Sequence, residues 1–381
     1  MLANDEQRMT KKIRVGLIFG GKTGEHEVSL ASAQSVLRAL DAEKYDAVLI
    51  GITQEGRWLT GGNPLQQLVR ATESPLLKAR NEAVQNATNE TSAIVTREAA
   101  EITAANALNE TVDVVFPLIH GPNGEDGTIQ GLLELADLPY VGANVAASAV
   151  GMDKALMKAL FRNAGLPVAD YLVVMRHKWE HDPEETIHDI ETIIKYPCFV
   201  KPANLGSSVG ISKAHNWDEL TQALTTAAQY DRKILVERAI VGRELECSVL
   251  GNDAPLASLP GEVIPEREFY DYEAKYADER TKLIVPADLT GEQTRSIQDL
   301  AVRAFQAIDC SGMARVDFFM DARDGKILVN EINTIPGFTN VSMYPKMWEA
   351  SGVSYSQLID RLIQLALERH ADKKRTVSSY R

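Results

Sequence analysis

The feature that most restricts the fold is a strand that runs into a double glycine and then into a helix. Ile13–Phe19 alternates, then turns continuously apolar, and breaks at Gly20-Gly21. A helical stretch is predicted from about Glu27 to Leu40, with further strands at Ala47–Thr53 and Val112–His120, the last ending in Gly121-Pro122. Strand, helix and strand with glycine at the strand ends mark a parallel α/β unit, whose sites lie at the carboxyl ends of its strands. Between Gly61 and Glu110 the chain is rich in Asn, Thr and Ala without clear periodicity, and reads as an insertion on this first unit.

Past Pro139-Tyr140-Val141-Gly142 the pattern predicts a helix at Met152–Ala164, closed by Gly165 and Pro167. A strand at Tyr171–Met175, a helix at Glu184–Ile194 and a strand at Cys198–Lys201 follow, then a Gly/Ser loop over Asn204–Gly210. Strands at Ile234–Glu237 and Glu244–Leu250 bracket Val241-Gly242, and Met313–Met320 pairs with Ile327–Asn333 across Asp324-Gly325 in a hairpin. The chain closes with a helix at Tyr355–His370 and a basic tail. At roughly 100–200 residues per domain, two or three domains are expected.

Charge narrows the function classes. With 40 Lys+Arg against 53 Asp+Glu the net charge is −13, so a general nucleic-acid binder, which needs a basic footprint, is excluded. Any anionic ligand must be held by a local cluster of Lys, Arg and backbone N–H groups. Three scattered cysteines, Cys198, Cys247 and Cys310, suit neither a disulfide framework nor a zinc site and are expected to be packing residues. No apolar run approaches a membrane span and the polar start, MLANDEQRMTKK, has no signal-peptide pattern, so the expected compartment is the cytoplasm.

The hairpin carries the clearest chemistry. Strand side chains alternate with period 2, so Arg315 and Asp317 share a face, as do Glu331 and Asn333 on the partner strand. Two carboxylates and an amide oxygen are hard ligands of the kind Mg²⁺ prefers, and Mg²⁺ usually completes its shell with substrate phosphates and water. Arg315 beside them could neutralise a phosphoryl group in transfer. The plainer alternative is a solvated face with an Arg–Asp pair. Lys201 and the following Gly206-Ser207-Ser208-Val209-Gly210 can wrap phosphate oxygens in backbone amides and hydroxyls, although many such loops are only turns. Gly16–Thr23 literally matches the G-x-x-x-x-G-K-[ST] phosphate loop, but here Leu17-Ile18-Phe19 continues the strand and Gly24 interrupts the helix start, which argues against that reading.

Several motifs follow in order: Gly20-Gly-Lys-Thr-Gly-Glu25-His-Glu-Val-Ser29, His120-Gly-Pro-Asn-Gly-Glu-Asp-Gly127, Met152-Asp-Lys154, Lys201-Pro with Gly206-Ser-Ser-Val-Gly210, Phe269-Tyr-Asp-Tyr-Glu-Ala-Lys275-Tyr276, Met313-Ala-Arg-Val-Asp317, and Asn330-Glu-Ile-Asn-Thr-Ile-Pro-Gly337. This set resembles the D-alanine–D-alanine ligase family of ATP-grasp enzymes over roughly residues 12–370. The resemblance implies an α/β fold, α+β toward the C-terminus, in three domains: an N-terminal α/β domain at 1–142 carrying the 61–110 insertion, a central ATP-grasp domain at 143–237 and a C-terminal one at 238–381. It implies ATP and two Mg²⁺ (or Mn²⁺) ions, D-alanine as substrate, no nucleic-acid or membrane partner, and a homodimer.

Residue by residue, the resemblance implies that Lys154, Lys201 and Ser208 hold the ATP phosphates, Glu237, Ala239 and Ile240 the adenine, and Glu244 the ribose, with Phe319 and Asn330 in the same nucleotide set. Asp317, Glu331 and Asn333 become the metal ligands. Glu25 receives the ammonium of the first D-alanine and forms a closing group with Ser207 and Tyr276, while Lys275 sits on a lid and reaches the transferring phosphoryl group. Arg315 and the Gly337 N–H face the tetrahedral oxyanion, Ser342 binds the second carboxylate, and His120 lies near a substrate carboxylate, a position that a structural histidine fills as often. The nearest rival is an ATP-grasp ligase for another amino or hydroxy acid, which should lack the Glu25, Ser207 and Tyr276 set. A P-loop nucleotide switch and a catalytically dead nucleotide-binding regulator are the rivals of other classes.

Overall fold

The computed structural model describes residues 11–72, 111–206, 209–264 and 282–377. Its first sheet has the order β3-β2-β1-β4 and comprises β1 (Ile13–Gly20), β2 (Tyr45–Ile52), β3 (Trp58–Thr60) and β4 (Val114–Pro117). β1 is parallel to both β2 and β4, so the parallel α/β unit expected from the glycine-terminated strand is present, and only β3 runs antiparallel. β4 is shorter than the predicted Val112–His120, and the helix after β1 spans His26–Ala39. Part of the stretch without clear periodicity is helical: Pro64–Ala71, capped by the Asn63 side chain on Gln66 N–H.

Because β1 lies between β2 and β4, strand order reverses beside it, and a crevice opens at the carboxyl ends of β1 and β4. Ser29 fixes that crevice: its Oγ accepts from Gly20 N–H at 2.7 Å and donates to the Leu118 carbonyl at 2.6 Å. One helical hydroxyl thus ties both strand ends together.

The second sheet, β5-β8-β6-β7, is antiparallel and comprises β5 (Tyr171–Met175), β6 (Cys198–Pro202), β7 (Ser212–Ala214) and β8 (Lys233–Arg238). The third is also antiparallel, in the order β12-β11-β9-β13-β14 with β10 beside β9. Its strands are β9 (Gly242–Gly251), β10 (Leu256–Ala257), β11 (Gly261–Ile264), β12 (Lys282–Ile284), β13 (Gly312–Asp321) and β14 (Ile327–Asn333).

The helix predicted at Met152–Ala164 is Lys154–Asn163, and a separate helix, Val145–Met152, precedes it. Asp153 leaves helical geometry and its carboxylate caps the second helix on Ala155 and Leu156 N–H, both at 3.1 Å. Ala147, Met157 and Phe161 of this pair share a core with the third sheet and with the helix Gly291–Ala307. The terminal helix, Tyr355–Lys373, packs Leu358, Leu362 and Ile363 into the core of the first sheet, and Arg369 reaches the Tyr140 carbonyl and Ser311 Oγ. The end of the chain therefore joins the first and third sheets. The three cysteines are buried and unpaired, with burial pushing the Cys198 and Cys247 thiols up to about 11 and about 12.

Candidate active site

The hairpin forms as its alternation predicts. Arg315 pairs with Asn333 and Asp317 with Glu331, while Val316, Phe318 and Met320 point into the core. Arg315 grips Asp317 in a fork, Nε to Oδ1 and Nη2 to Oδ2, both 2.7 Å, and Asn333 Nδ2 donates to Asp317 Oδ2 at 3.0 Å. Glu246 on β9 lies opposite Asp317 and stands 3.2 Å from Arg315 Nε. Burial alone would lower the Arg315 pKa, but Asp317 and Glu246 outweigh it and hold the guanidinium charged. An exposed surface pair would not be built this way, so the solvated-face alternative fails on burial.

Period 2 does not account for one neighbour. Between Asp317 and Phe318 the register shifts, so that Phe318 faces Val329 and Asn330 is the extra residue of a bulge. Asn330 and Glu331 are consequently both half-buried in sequence. The donor set of Asp317, Glu331 and Asn333 suits a hard divalent cation. No group of three or more His, Cys, Asp or Glu gathers to hold a metal among the described residues, so a cation here would draw further oxygens from phosphates and water.

Lysines approach from the other elements. Lys154 opens its helix, donates to the Leu205 carbonyl at 2.7 Å and stands 3.8 Å from Glu331 Oε2. Lys201, on β6, meets Glu237 Oε2 on β8 at 2.8 Å. Burial would push the Glu237 carboxyl up, but the charges of Lys158 and Lys201 hold it at about 2. Ala239 and Ile240 follow at the end of β8, half-buried, and Glu244 and Phe319 are half-buried register partners on β9 and β13.

At the first sheet, Glu25 stands just before the helix His26–Ala39. A Cβ on Gly121 would come 2.8 Å from Glu25 Oε2, and one on Gly206 would come 3.9 Å from it, so the carboxylate sits between two glycines. Gly206 follows Leu205, whose carbonyl holds Lys154. A continuous path therefore runs from Glu25 past Gly206 and Lys154 to Glu331, Asp317 and Arg315. Glu125 adds a second carboxyl near Glu25; it accepts from Gly121 N–H at 3.0 Å, and burial followed by the Glu25 charge raises its pKa to about 8.

His120 is held at both ring nitrogens. Its Nδ1 must donate to the Ile335 carbonyl at 3.1 Å, leaving Nε2 to accept from Ser32 Oγ at 3.1 Å, and burial lowers its pKa despite the Glu25 charge. This neutral ring ties the end of β4 to the Pro336-Gly337 turn. Ser342 Oγ lies 3.2 Å from where a Gly337 Cβ would be and holds Thr339 N–H at 3.1 Å. The literal phosphate-loop match does not form one: its first residues are β1, and Lys22 is exposed with its stem along Gly56. Ser207, Ser208, Lys275 and Tyr276 lie outside the described residues.

Sequence reasoning missed Lys158, Glu125 and Glu246 as members of this network. Lys158 had a visible signal, a lysine one turn after Lys154 on a face otherwise occupied by Met157 and Phe161.

The D-ala D-ala ligase N-terminus family matches residues 14–143, and the D-ala D-ala ligase C-terminus family matches 160–364. The D-alanine–D-alanine ligase of Geobacillus kaustophilus is 51% identical over 363 residues, covering 95% of this chain and 97% of its own. That of Acetivibrio thermocellus is 50% identical over 369 residues, covering 96% and 98%. Among solved structures, the D-alanine-D-alanine ligase from Coxiella burnetii superposes with a TM-score of 0.78 at 40% identity, covering 96% of each chain. The VanG D-Ala:D-Ser ligase from Enterococcus faecalis gives 0.79 at 35% identity, covering 93% of this chain and 100% of its own. With two family models spanning most of the chain and relatives at about 50% identity over nearly its whole length, the chain belongs to the D-alanine–D-alanine ligase family.

Proposed function

We propose that this protein joins two D-alanines into D-alanyl-D-alanine, converting ATP to ADP and phosphate, in the synthesis of peptidoglycan precursors. The observation that carries the reading is the path from Glu25 through Lys154 to Glu331, Asp317 and Arg315, which aligns an ammonium receiver, phosphate-binding cations and an anion stabiliser.

A carboxylate is a poor acylating agent because oxide would have to leave. One oxygen of the first D-alanine carboxylate therefore attacks the γ-phosphorus, ADP departs, and a D-alanyl phosphate forms. The amine of the second D-alanine, having lost a proton, attacks the acyl carbon, and the tetrahedral adduct collapses by expelling phosphate. Glu25 orients the first substrate through its ammonium. Lys154, Lys201 and the Ser208 loop receive the phosphates, and Glu237, Ala239, Ile240, Glu244, Phe319 and Asn330 the nucleoside. Arg315 and the Gly337 N–H stabilise the oxyanion, where one donor is typically worth about 3–4 kcal/mol. Ser342, beside Gly337, takes the second carboxylate, and Lys275, Tyr276 and Ser207 close the site against water.

Asp317, Glu331 and Asn333 would hold two Mg²⁺ (or Mn²⁺) ions, which offset charge on the phosphates when bound. The reading extends to three domains with limits at 142 and 237, a homodimer, and a cytoplasmic setting. In support, each sheet falls within one span or crosses its limit by a single residue, and no described helix is long and apolar enough to cross a membrane. ATP, Mg²⁺ and D-alanine incubated with the enzyme, alone or with D-serine or D-lactate, test it by mass detection of the product. D-alanyl-D-alanine formed in step with phosphate supports the reading; phosphate without any dipeptide sinks the substrate assignment.

A further inference from the structure

The helix Lys154–Asn163 sets two lysines one turn apart against two consecutive residues of the β14 bulge. Lys154 reaches Glu331 at 3.8 Å, and Lys158 donates to the Asn330 carbonyl at 2.9 Å. Lys158 also meets Glu237 Oε1 at 2.5 Å, so each oxygen of Glu237 has its own lysine, Lys158 on one and Lys201 on the other. Lys158 is only 1% exposed. It lies between β8 of the second sheet and β14 of the third, bridging Glu237 and the Asn330 carbonyl.

Burying an ammonium so completely carries a large desolvation penalty, and a well-packed apolar residue in its place is often as stable or more so. Stability alone therefore explains this lysine poorly. Its geometry does something an apolar residue could not: it fixes the Glu237 carboxylate and ties it to the backbone beside the metal-side carboxylate Glu331.

We propose that Lys158 is a positioning residue for ATP, which sets the distance and orientation of the adenine end of the site, at Glu237, relative to the phosphate end, at Asn330-Glu331. The proposal rests on the reading of this cleft as the ATP site. Lys158 touches neither substrate and acts through Glu237 and β14.

The test uses the full chain and MgATP, titrated calorimetrically without D-alanine, for the native enzyme, Lys158→Met, Lys158→Gln, Glu237→Gln and the Lys158→Met/Glu237→Gln pair. Lys158→Met should weaken ATP binding tenfold or more and raise KM for ATP in parallel, with KM for D-alanine within twofold at saturating ATP. Lys158→Gln should show the same split, because it restores a hydrogen bond but not the charge. Since Lys158 acts through Glu237, the double variant should bind ATP no worse than the weaker single variant. Native-like ATP binding by Lys158→Met, or losses that multiply in the double variant, would overturn the proposal. So would loss of native circular dichroism in both Lys158 variants, which would make the residue purely structural. Failure of the native enzyme to bind MgATP would instead remove the reading of the cleft.

Discussion

Gly121→Ala separates the site from the fold. Gly121 has φ +73°, a left-handed conformation that costs an L-residue about 1–2 kcal/mol. Its new methyl would stand 2.8 Å from Glu25 Oε2, too close for carbon and oxygen, and 3.9 Å from Thr23 Cβ, which is ordinary contact. The carboxylate is the far end of a flexible side chain, so it moves and the fold survives with a modest loss. In the proposed function that same carboxylate receives the substrate ammonium, and misplacing a reacting group by about 1 Å can cost ~10²-fold in rate. A shift of a few tenths of an ångström should therefore lower kcat/KM for D-alanine about tenfold or more. Gly325→Ala supplies the control: its φ is +72°, and a Cβ there meets nothing within 4 Å at the tip of the hairpin turn. Both variants should lower the denaturation midpoint to a similar degree, and only Gly121→Ala should lose activity. Equal kinetics for the two variants would refute the placement of Glu25 in the substrate site.

Other residues give independent checks. Glu331→Gln should abolish most turnover and shift the Mg²⁺ concentration dependence while thermal stability stays near native; unchanged activity and Mg²⁺ dependence would remove the metal assignment. Tyr276→Phe should loosen lid closure and alter the preference among D-alanine, D-serine and D-lactate as acceptors, and identical kinetics with all three would dismiss its role. Glu125, whose carboxyl lies at about 8 instead of the ordinary 4.5, keeps a proton in the folded chain that the unfolded chain has shed. Between those values the folded state binds more protons, so stability falls as pH rises from about 4.5 through 8. Glu125→Gln should remove that slope and gain on the native chain by about 1 kcal/mol or more between pH 5 and pH 8. Urea midpoints at both pH values measure it, and parallel slopes would contradict the burial argument.

The hairpin was legible because a strand's period of 2 leaves no choice of face: once Met313–Met320 reads as a strand, Arg315 and Asp317 must point together. The bulge was not, since an extra residue in β14 is decided by how it pairs with β13, and so Asn330 could join the set only through the family resemblance. Asp153 shows a local signal passed over: an Asp followed by Lys-Ala-Leu is a helix cap, yet the predicted helix began one residue before it, at Met152. Glu246 stayed hidden for a tertiary reason, unlike Lys158, whose place on an apolar helix face could have been read. A glutamate in a strand looks like a surface residue until another element covers it with the opposite charge. His120 stayed open in the sequence, because its contacts with Ser32 and Ile335 come from distant parts of the chain.

Formation of an acyl phosphate from ATP and the first D-alanine has a direct isotopic readout. D-alanine carrying ¹⁸O in its carboxylate is turned over with unlabelled ATP, and the inorganic phosphate and ADP are analysed by mass. Attack of the carboxylate on the γ-phosphorus predicts one carboxylate ¹⁸O in each phosphate released with dipeptide, and none in ADP. Dipeptide formed with unlabelled phosphate would contradict the account, because the oxygen lost from D-alanine would then have left by a route that never joined it to phosphorus.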